Sequence, residues 1–209
     1  SLLELAYDQQ NVVLEKIQLR FDFPEQPSIE SDDARFVLIK QGGKRLLGLD
    51  FKASNHALSF STRLHLNHKA YAFNELAGVV YLALDGERLE RWLPEQWPLD
   101  LVPARIGGKV ELWGKLQKGG LAESTLVLSQ AQISVVHRQQ SGLWSLDDAA
   151  VVARGNRTDS GYALQLESIV GHNDEAGQLN AGPLWLDVKE DESQSVKWQM
   201  RGENISLSG

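Results

Sequence analysis

Residues 109–135 read KVELWGKLQKGGLAESTLVLSQAQISV, and this stretch decides the fold. Val110, Leu112 and Leu116 fall on one parity, while Lys109, Glu111, Trp113, Lys115 and Gln117 fall on the other. A period of two marks a strand with one apolar face, because successive side chains of a strand point to opposite sides. Gly119-Gly120 gives a turn signal, and Leu126 and Leu128 open the return strand. Ala131, Ile133 and Val135 continue the apolar run on the opposite parity, which predicts a bulge or turn near Ser129-Gln130.

The same pattern extends in both directions. Upstream, Ile17, Leu19, Phe21 and Phe23 oppose Lys16, Gln18, Arg20 and Asp22 until Pro24 and Pro27 break the run. Residues 35–40 and 45–51 flank Gln41-Gly42-Gly43 and read as a hairpin, and 57–66 reads as a further strand. Residues 78–84, GVVYLAL, are nearly all apolar and predict a strand covered on both faces. Downstream, 151–154 and 162–169 flank a turn at Asp159-Ser160-Gly161. Leu184, Leu186 and Val188 form another strand; Val196, Trp198 and Met200 alternate with Lys197, Gln199 and Arg201; Ile205 and Leu207 come last. One short helix is predicted near 86–93, with Asp85 as an N-cap type residue, Leu89, Trp92 and Leu93 at helical spacing, and Pro94 cutting it off.

Roughly a dozen short strands and one short helix, without strand–helix alternation, exclude a parallel sheet. The fold class is therefore mainly β: a curled antiparallel β-sheet or open sandwich forming an apolar groove. One short helix cannot cover so much apolar sheet. Its apolar side must pack on another sheet, curl on itself or face an apolar ligand. Residues 1–209 read as a single β-rich fragment of a larger protein, with the best internal boundary in the proline-rich stretch 94–103.

Composition narrows the function. The chain has 209 residues, a formal net charge of −7 and no cysteine. Without Cys there are no disulfides, thiolate metal sites or cysteine nucleophiles. The acidic balance argues against a nucleic-acid surface. No run of apolar residues is long enough for a transmembrane helix, and no signal-peptide pattern occurs.

Catalytic motifs are missing too. His65-Leu66-Asn67-His68 has its histidines on opposite faces of a strand, and the Gly-Gly pairs lack a phosphate-binding context. Asp32-Asp33, Asp147-Asp148 and Glu190-Asp191-Glu192 read as charged turns. There is no G-x-S-x-G elbow. The six Trp residues fit sheet anchors better than sugar platforms. The residues point to a non-enzymatic protein with no cofactor and no metal.

Residues 78–136 carry a more specific signal. A strand ends in the Asp85 turn, a short segment carries Trp92-Leu93-Pro94, a strand follows with a Gly108-x-x-x-Leu112-Trp113 character, and a strand returns. Leu143-Trp144-Ser145-Leu146-Asp147-Asp148 continues in the same style. The segment resembles the YhdP-like members of the bacterial AsmA-like family, which share a bridge-like lipid-transfer architecture. The resemblance implies a long periplasmic protein of a Gram-negative cell, anchored in the inner membrane. Its repeated β-sheet would carry phospholipid toward the outer membrane and so support the outer-membrane barrier.

On that reading the partners are a phospholipid or other acyl-chain ligand and neighbouring β-repeats of the parent chain. The groove candidates are Val110, Leu112, Leu116, Leu126, Leu128, Leu164, Leu166, Leu184, Leu186, Val196, Trp198 and Met200. The competing expectation is a closed β-sandwich acting as a scaffold or protein-interaction module, in which the same residues are ordinary core.

Overall fold

The computed structural model describes residues 11–22, 28–54, 58–67, 75–92, 101–137, 143–158, 161–174, 177–190, 196–202 and 205–208. The described strands join into one open antiparallel sheet of 13 strands that does not close into a barrel. Strand order follows chain order from the first strand to the ninth, as short turns between alternating segments require. Residues group into two units, one of 1–84 with 111–124 and one of 85–110 with 125–209. The chain passes between them within three of its strands. Residues 93–100, most of the stretch read as a boundary, lie outside the described residues.

The first unit contains β1 (Asn11–Phe21), β2 (Ile29–Gln41), β3 (Lys44–Lys52) and β4 (Leu58–Leu66). It also holds most of β5 (Gly78–Gly86), the end of β6 (Leu101–Gln117) and the start of β7 (Gly120–His137). Gly42 and Gly43, with φ of 56° and 81°, make the two-residue turn of the β2–β3 hairpin, where positive φ matches the twist of the flanking strands. The β6–β7 turn uses Lys118 and Gly119 rather than Gly119-Gly120, and Gly120 already belongs to β7.

Register assigns the two faces. Leu38 pairs with Leu47 and Leu47 with Leu64; Phe36 pairs with Leu49, and Phe51 with Phe60. Directly paired residues share a face, so these form one apolar side. Arg35 pairs with Asp50 and Asp50 with Ser61, on the opposite, polar side. There the Arg63 guanidinium grips Asp50 through Nη2 to Oδ2 at 2.8 Å and Nη1 to Oδ1 at 2.8 Å, and Ser61 Oγ donates to Oδ1 at 2.7 Å. The Arg63 hydrogen bond holds the Asp50 carboxyl below the usual carboxylate range, against the opposing pull of partial burial, with Ser61 adding to the effect.

In β1 the alternation slips. Leu14 pairs with Phe36 but Ile17 with Ala34, and Lys16 between them takes a φ of 56°. This bulge returns Ile17 and Leu19 to the apolar side, where they pack against the cluster of Ala34, Phe51 and Ala53. The expectation that residues 78–84 are covered on both faces does not hold, because Val79 is 52% exposed.

The second unit contains the rest of β5, β6 and β7, with β8 (Leu143–Thr158) and β9 (Gly161–Asn173). β10 (Gly177–Ala181) and β11 (Leu184–Glu190) both pair with β9, end to end along it. β12 (Val196–Gly202) pairs with β11, and β13 (Ile205–Ser208) with β10. The expected short helix is a four-residue 3₁₀ turn, Leu89–Trp92. Asp85 lies in β5 rather than at an N-cap. Leu89 is buried, and the Glu90 carboxylate accepts hydrogen bonds from Ile106 N–H at 2.9 Å and Arg88 Nε at 3.0 Å. Burial pushes the Glu90 pKa up, but these bonds outweigh it and hold the carboxyl below its ordinary value.

The bulge expected near Ser129-Gln130 is present: Gln130 has a φ of 51°. Leu128, Ala131 and Ile133 consequently join one cluster despite the change in parity. Gly108 lies against this bulge with φ of 128°, and a Cβ there would sit 2.8 Å from Ala131 Cα and 2.9 Å from Ser129 O. Gly108→Ala should therefore cost about 2–4 kcal/mol, measured by urea unfolding. Asp50→Asn should cost about 0.5–1 kcal/mol at neutral pH, since the ion pair is partly exposed. A depressed carboxyl pKa stabilises above the unfolded value and loses that effect as pH falls through the folded one. Melting curves of Asp50→Asn and the parent should therefore converge below the ordinary carboxylate range.

Candidate functional site

The apolar faces of the two units, each taken by itself, are the candidate site, and their chemistry is that of half-buried aliphatic side chains. In the second unit, Val151 pairs with Ile169 and Ala153 with Leu166. Val151 and Ala153 share a face of β8, so Ile169 and Leu166 share it too, although they are three apart on β9. Glu167 is the extra residue, and its carboxylate turns to Arg154 Nε at 3.1 Å. Leu164 and Leu166 thereby lie on the same side as Leu179 and Ala181, which pair with Gly171 and Ile169. Leu184 pairs with Leu166, and its side chain occupies the space over Gly202 where a Cβ would stand.

Burial along this face is uneven. One part is filled: Leu128, Ala131, Leu146, Ala149 and Leu179 are buried together, with Val110 packed against them. The other part is not. All ten residues from Gly161 to Val170 of β9 are half-buried, whichever way they point. A strand under a packed layer alternates between buried and exposed. Here Leu164, Leu166 and Leu184 are only half-buried. In the first unit Leu47, Leu49, Phe60 and Leu64 are half-buried too, with Phe60 packed against the cluster of Ala34, Phe51 and Ala53. Leu66 and Leu76 are buried, and Leu76 packs on Leu47 and Leu64 at one end of the strands.

The sequence-derived candidates divide accordingly. Val110 and Leu128 lie in or against the filled cluster. Leu126, Leu164, Leu166 and Leu184 in the second unit, and Leu112 and Leu116 in the first, are half-buried. Leu186 lies in register with Leu164 and Met200, Val188 with Trp198, and Glu190 with Val196. The side chains of Leu186, Val196, Trp198 and Met200 lie outside the described residues. The apolar side of the first unit, with Phe36, Leu38, Leu47, Leu49, Phe60 and Leu64, is absent from the candidate set although its alternation was available in the sequence. Trp113 stands on the other parity of β6, 43% exposed, with its ring 5.4 Å from Tyr81, whose hydroxyl donates to Glu111 Oε1 at 2.7 Å.

The Arg63–Asp50 and Arg154–Glu167 pairs lie outside the apolar faces. Among the described residues no cluster of His, Asp and Glu could hold a metal ion, and no helix is long and apolar enough to cross a membrane. The chain is thus of the class defined by an open antiparallel sheet, with apolar and polar residues on opposite faces within each unit. Comparison with known protein families, characterised proteins and solved structures finds no match.

Leu128→Ala and Leu166→Ala remove equal side chains from the filled and unfilled parts of this face. Leu128→Ala should cost about 2–4 kcal/mol, the range for a buried leucine, and Leu166→Ala about 1 kcal/mol or less. Chemical denaturation of both variants checks the difference. Equal costs would mean that Leu166 is covered in solution.

Proposed function

We propose that this chain is a non-enzymatic segment of a periplasmic protein, anchored in the inner membrane of a Gram-negative cell, that carries phospholipid along its apolar sheet face toward the outer membrane. The observation that supports the reading is the half-burial of Leu164, Leu166 and Leu184 in the second unit, with Leu49 half-buried on the apolar face of the first. Large aliphatic side chains gain by leaving water, at about 25 cal/mol per Å² of apolar area. An acyl chain laid across them supplies that burial and contributes several kcal/mol. A transport face also has to release its cargo, and aliphatic side chains hold a chain without directional bonds. The resemblance of residues 78–136 to YhdP-like proteins supports the same reading and supplies the envelope setting. The neighbouring β-repeats of the parent would pair with the sheet edges.

Native mass spectrometry of the purified chain, with lipid extraction of the same sample, tests this reading. Phospholipid should co-purify at a defined stoichiometry, and Leu166→Asp should reduce it severalfold without loss of β-structure in circular dichroism. A stable chain that carries no lipid from a cell envelope extract would favour the scaffold reading instead.

A further inference from the structure

On β6, the parity opposite Leu112 and Leu116 carries charged residues and one large ring. Trp113 is 43% exposed there, and Val79 of the neighbouring strand β5 is 52% exposed. The Trp113 ring centroid lies 5.4 Å from that of Tyr81, with the two planes tilted by 44°. The Tyr81 hydroxyl donates to Glu111 Oε1 at 2.7 Å, which fixes the phenol beside the indole. A tryptophan that anchors a sheet is covered by the layer it anchors, whereas close to half of Trp113 faces solvent.

The rim of this ring is polar on both sides. Glu111 and Lys115 share the parity of Trp113 and stand two residues before and after it, about 7 Å away in each direction along the strand. Lys115 Nζ is held by Glu123 Oε1 at 3.1 Å, and an ammonium with three N–H groups has donors beyond that bond. All of these residues belong to the first unit.

The combination selects a ligand by its chemistry. An acyl chain gains nothing from a carboxylate and an ammonium at either end of the ring. An anion would meet Glu111 and Glu123, and an organic cation, otherwise suited to an indole face, would meet Lys115. A neutral ligand with an apolar face and a rim of donors and acceptors suits all of them. A pyranose with equatorial substituents has this form, since its faces carry C–H bonds and its edge carries hydroxyls.

We infer that Trp113 and Tyr81, with Glu111 and Lys115 at the rim, form a binding platform for a neutral saccharide built of such pyranoses. One sugar rests its C–H face on the indole, one hydroxyl donates to the Glu111 carboxylate, and another accepts from Lys115 Nζ. The platform lies on the parity opposite the aliphatic residues of β6, so it does not depend on the acyl-chain reading.

The test titrates the chain with cellotetraose, a β-linked glucan with equatorial substituents throughout, and with tetramethylammonium. Binding is followed by NMR on the indole N–H signals and the backbone amides of β5 and β6. Cellotetraose should shift the Trp113 indole signal. Trp113→Ala should lower its affinity roughly ten-fold or more, and Trp113→Phe, which keeps a ring, should lower it less. Lys115→Met leaves the ring in place and removes only the ammonium, so it reads the rim separately and should cost about three-fold. Trp144→Ala, which removes a 38% exposed tryptophan of the second unit, should change nothing.

No shift of the Trp113 signal with cellotetraose, or unchanged affinity in Trp113→Ala, overturns the platform. Equal losses in Trp113→Ala and Trp144→Ala would mean stacking on any exposed indole and overturn it too. Tetramethylammonium binding more tightly than cellotetraose at Trp113 would make this a cation site and overturn the saccharide assignment.

Discussion

One constraint governs each unit of this chain: its strands must keep their aliphatic side chains on one face. Side-chain direction alternates with period two, so a slip of one residue would turn an entire apolar set toward the polar side. The chain meets the constraint by inserting residues. Lys16, Gln130 and Asp148 each take positive φ at 56°, 51° and 48°, and Glu167 is an unpaired extra residue in β9. A non-glycine residue in that conformation costs about 1–2 kcal/mol. The cost is offset because Ile17, Ala131, Ile133 and Ile169 return to the side occupied by the aliphatic residues before them. Loss of one such bulge would strand an apolar run on the polar side.

The polar side explains why the sheet does not bury both faces. Arg63 with Asp50, Arg154 with Glu167 and Arg201 with Asp187 lie in partly exposed pairs, at 2.8, 3.1 and 3.2 Å. Pairs of this kind add little stability individually, commonly under about 1 kcal/mol. Their larger effect is to make that side a poor surface for another sheet, since stacking on it would desolvate each pair at a cost the ion contacts do not repay. The aliphatic side is therefore the one available for a partner. In the second unit, the filled cluster around Leu128, Leu146 and Leu179 supplies a conventional core, and the leucines beyond it are only half-buried.

Much of this was readable from residue order alone. The alternation of Val110, Leu112 and Leu116 and the parity change at Ser129-Gln130 specify strands and a bulge because both follow from local geometry. The β2–β3 turn at Gly42-Gly43 was equally plain. Position by one residue was harder: Lys118 adopts positive φ in place of Gly120, since the turn is set by the register that pairs the flanking strands as well as by glycine content. The helical spacing of Leu89, Trp92 and Leu93 starts later than Asp85 suggests, because β5 runs on through Asp85 and Gly86, and among the described residues it forms a 3₁₀ turn at Leu89–Trp92. Residues 78–84 looked doubly buried by composition, yet Val79 is exposed, because hydrophobicity does not reveal how many layers a sheet has. The difference between Leu128 and Leu166 was unreadable for the same reason: each is a leucine on the apolar parity, and only the packing of neighbouring strands separates core from open face.

The central claim is that the apolar side holds acyl chains, and photocrosslinking tests it most directly. The chain would be exposed to a phospholipid with a diazirine in its acyl chain, irradiated and mapped by peptide mass spectrometry. Adducts should concentrate on Leu49, Leu64, Leu164 and Leu166 and be sparse on Ser61, Arg63 and Arg154, which face the other side. Adducts spread evenly over both sides, or confined to the polar one, would contradict it.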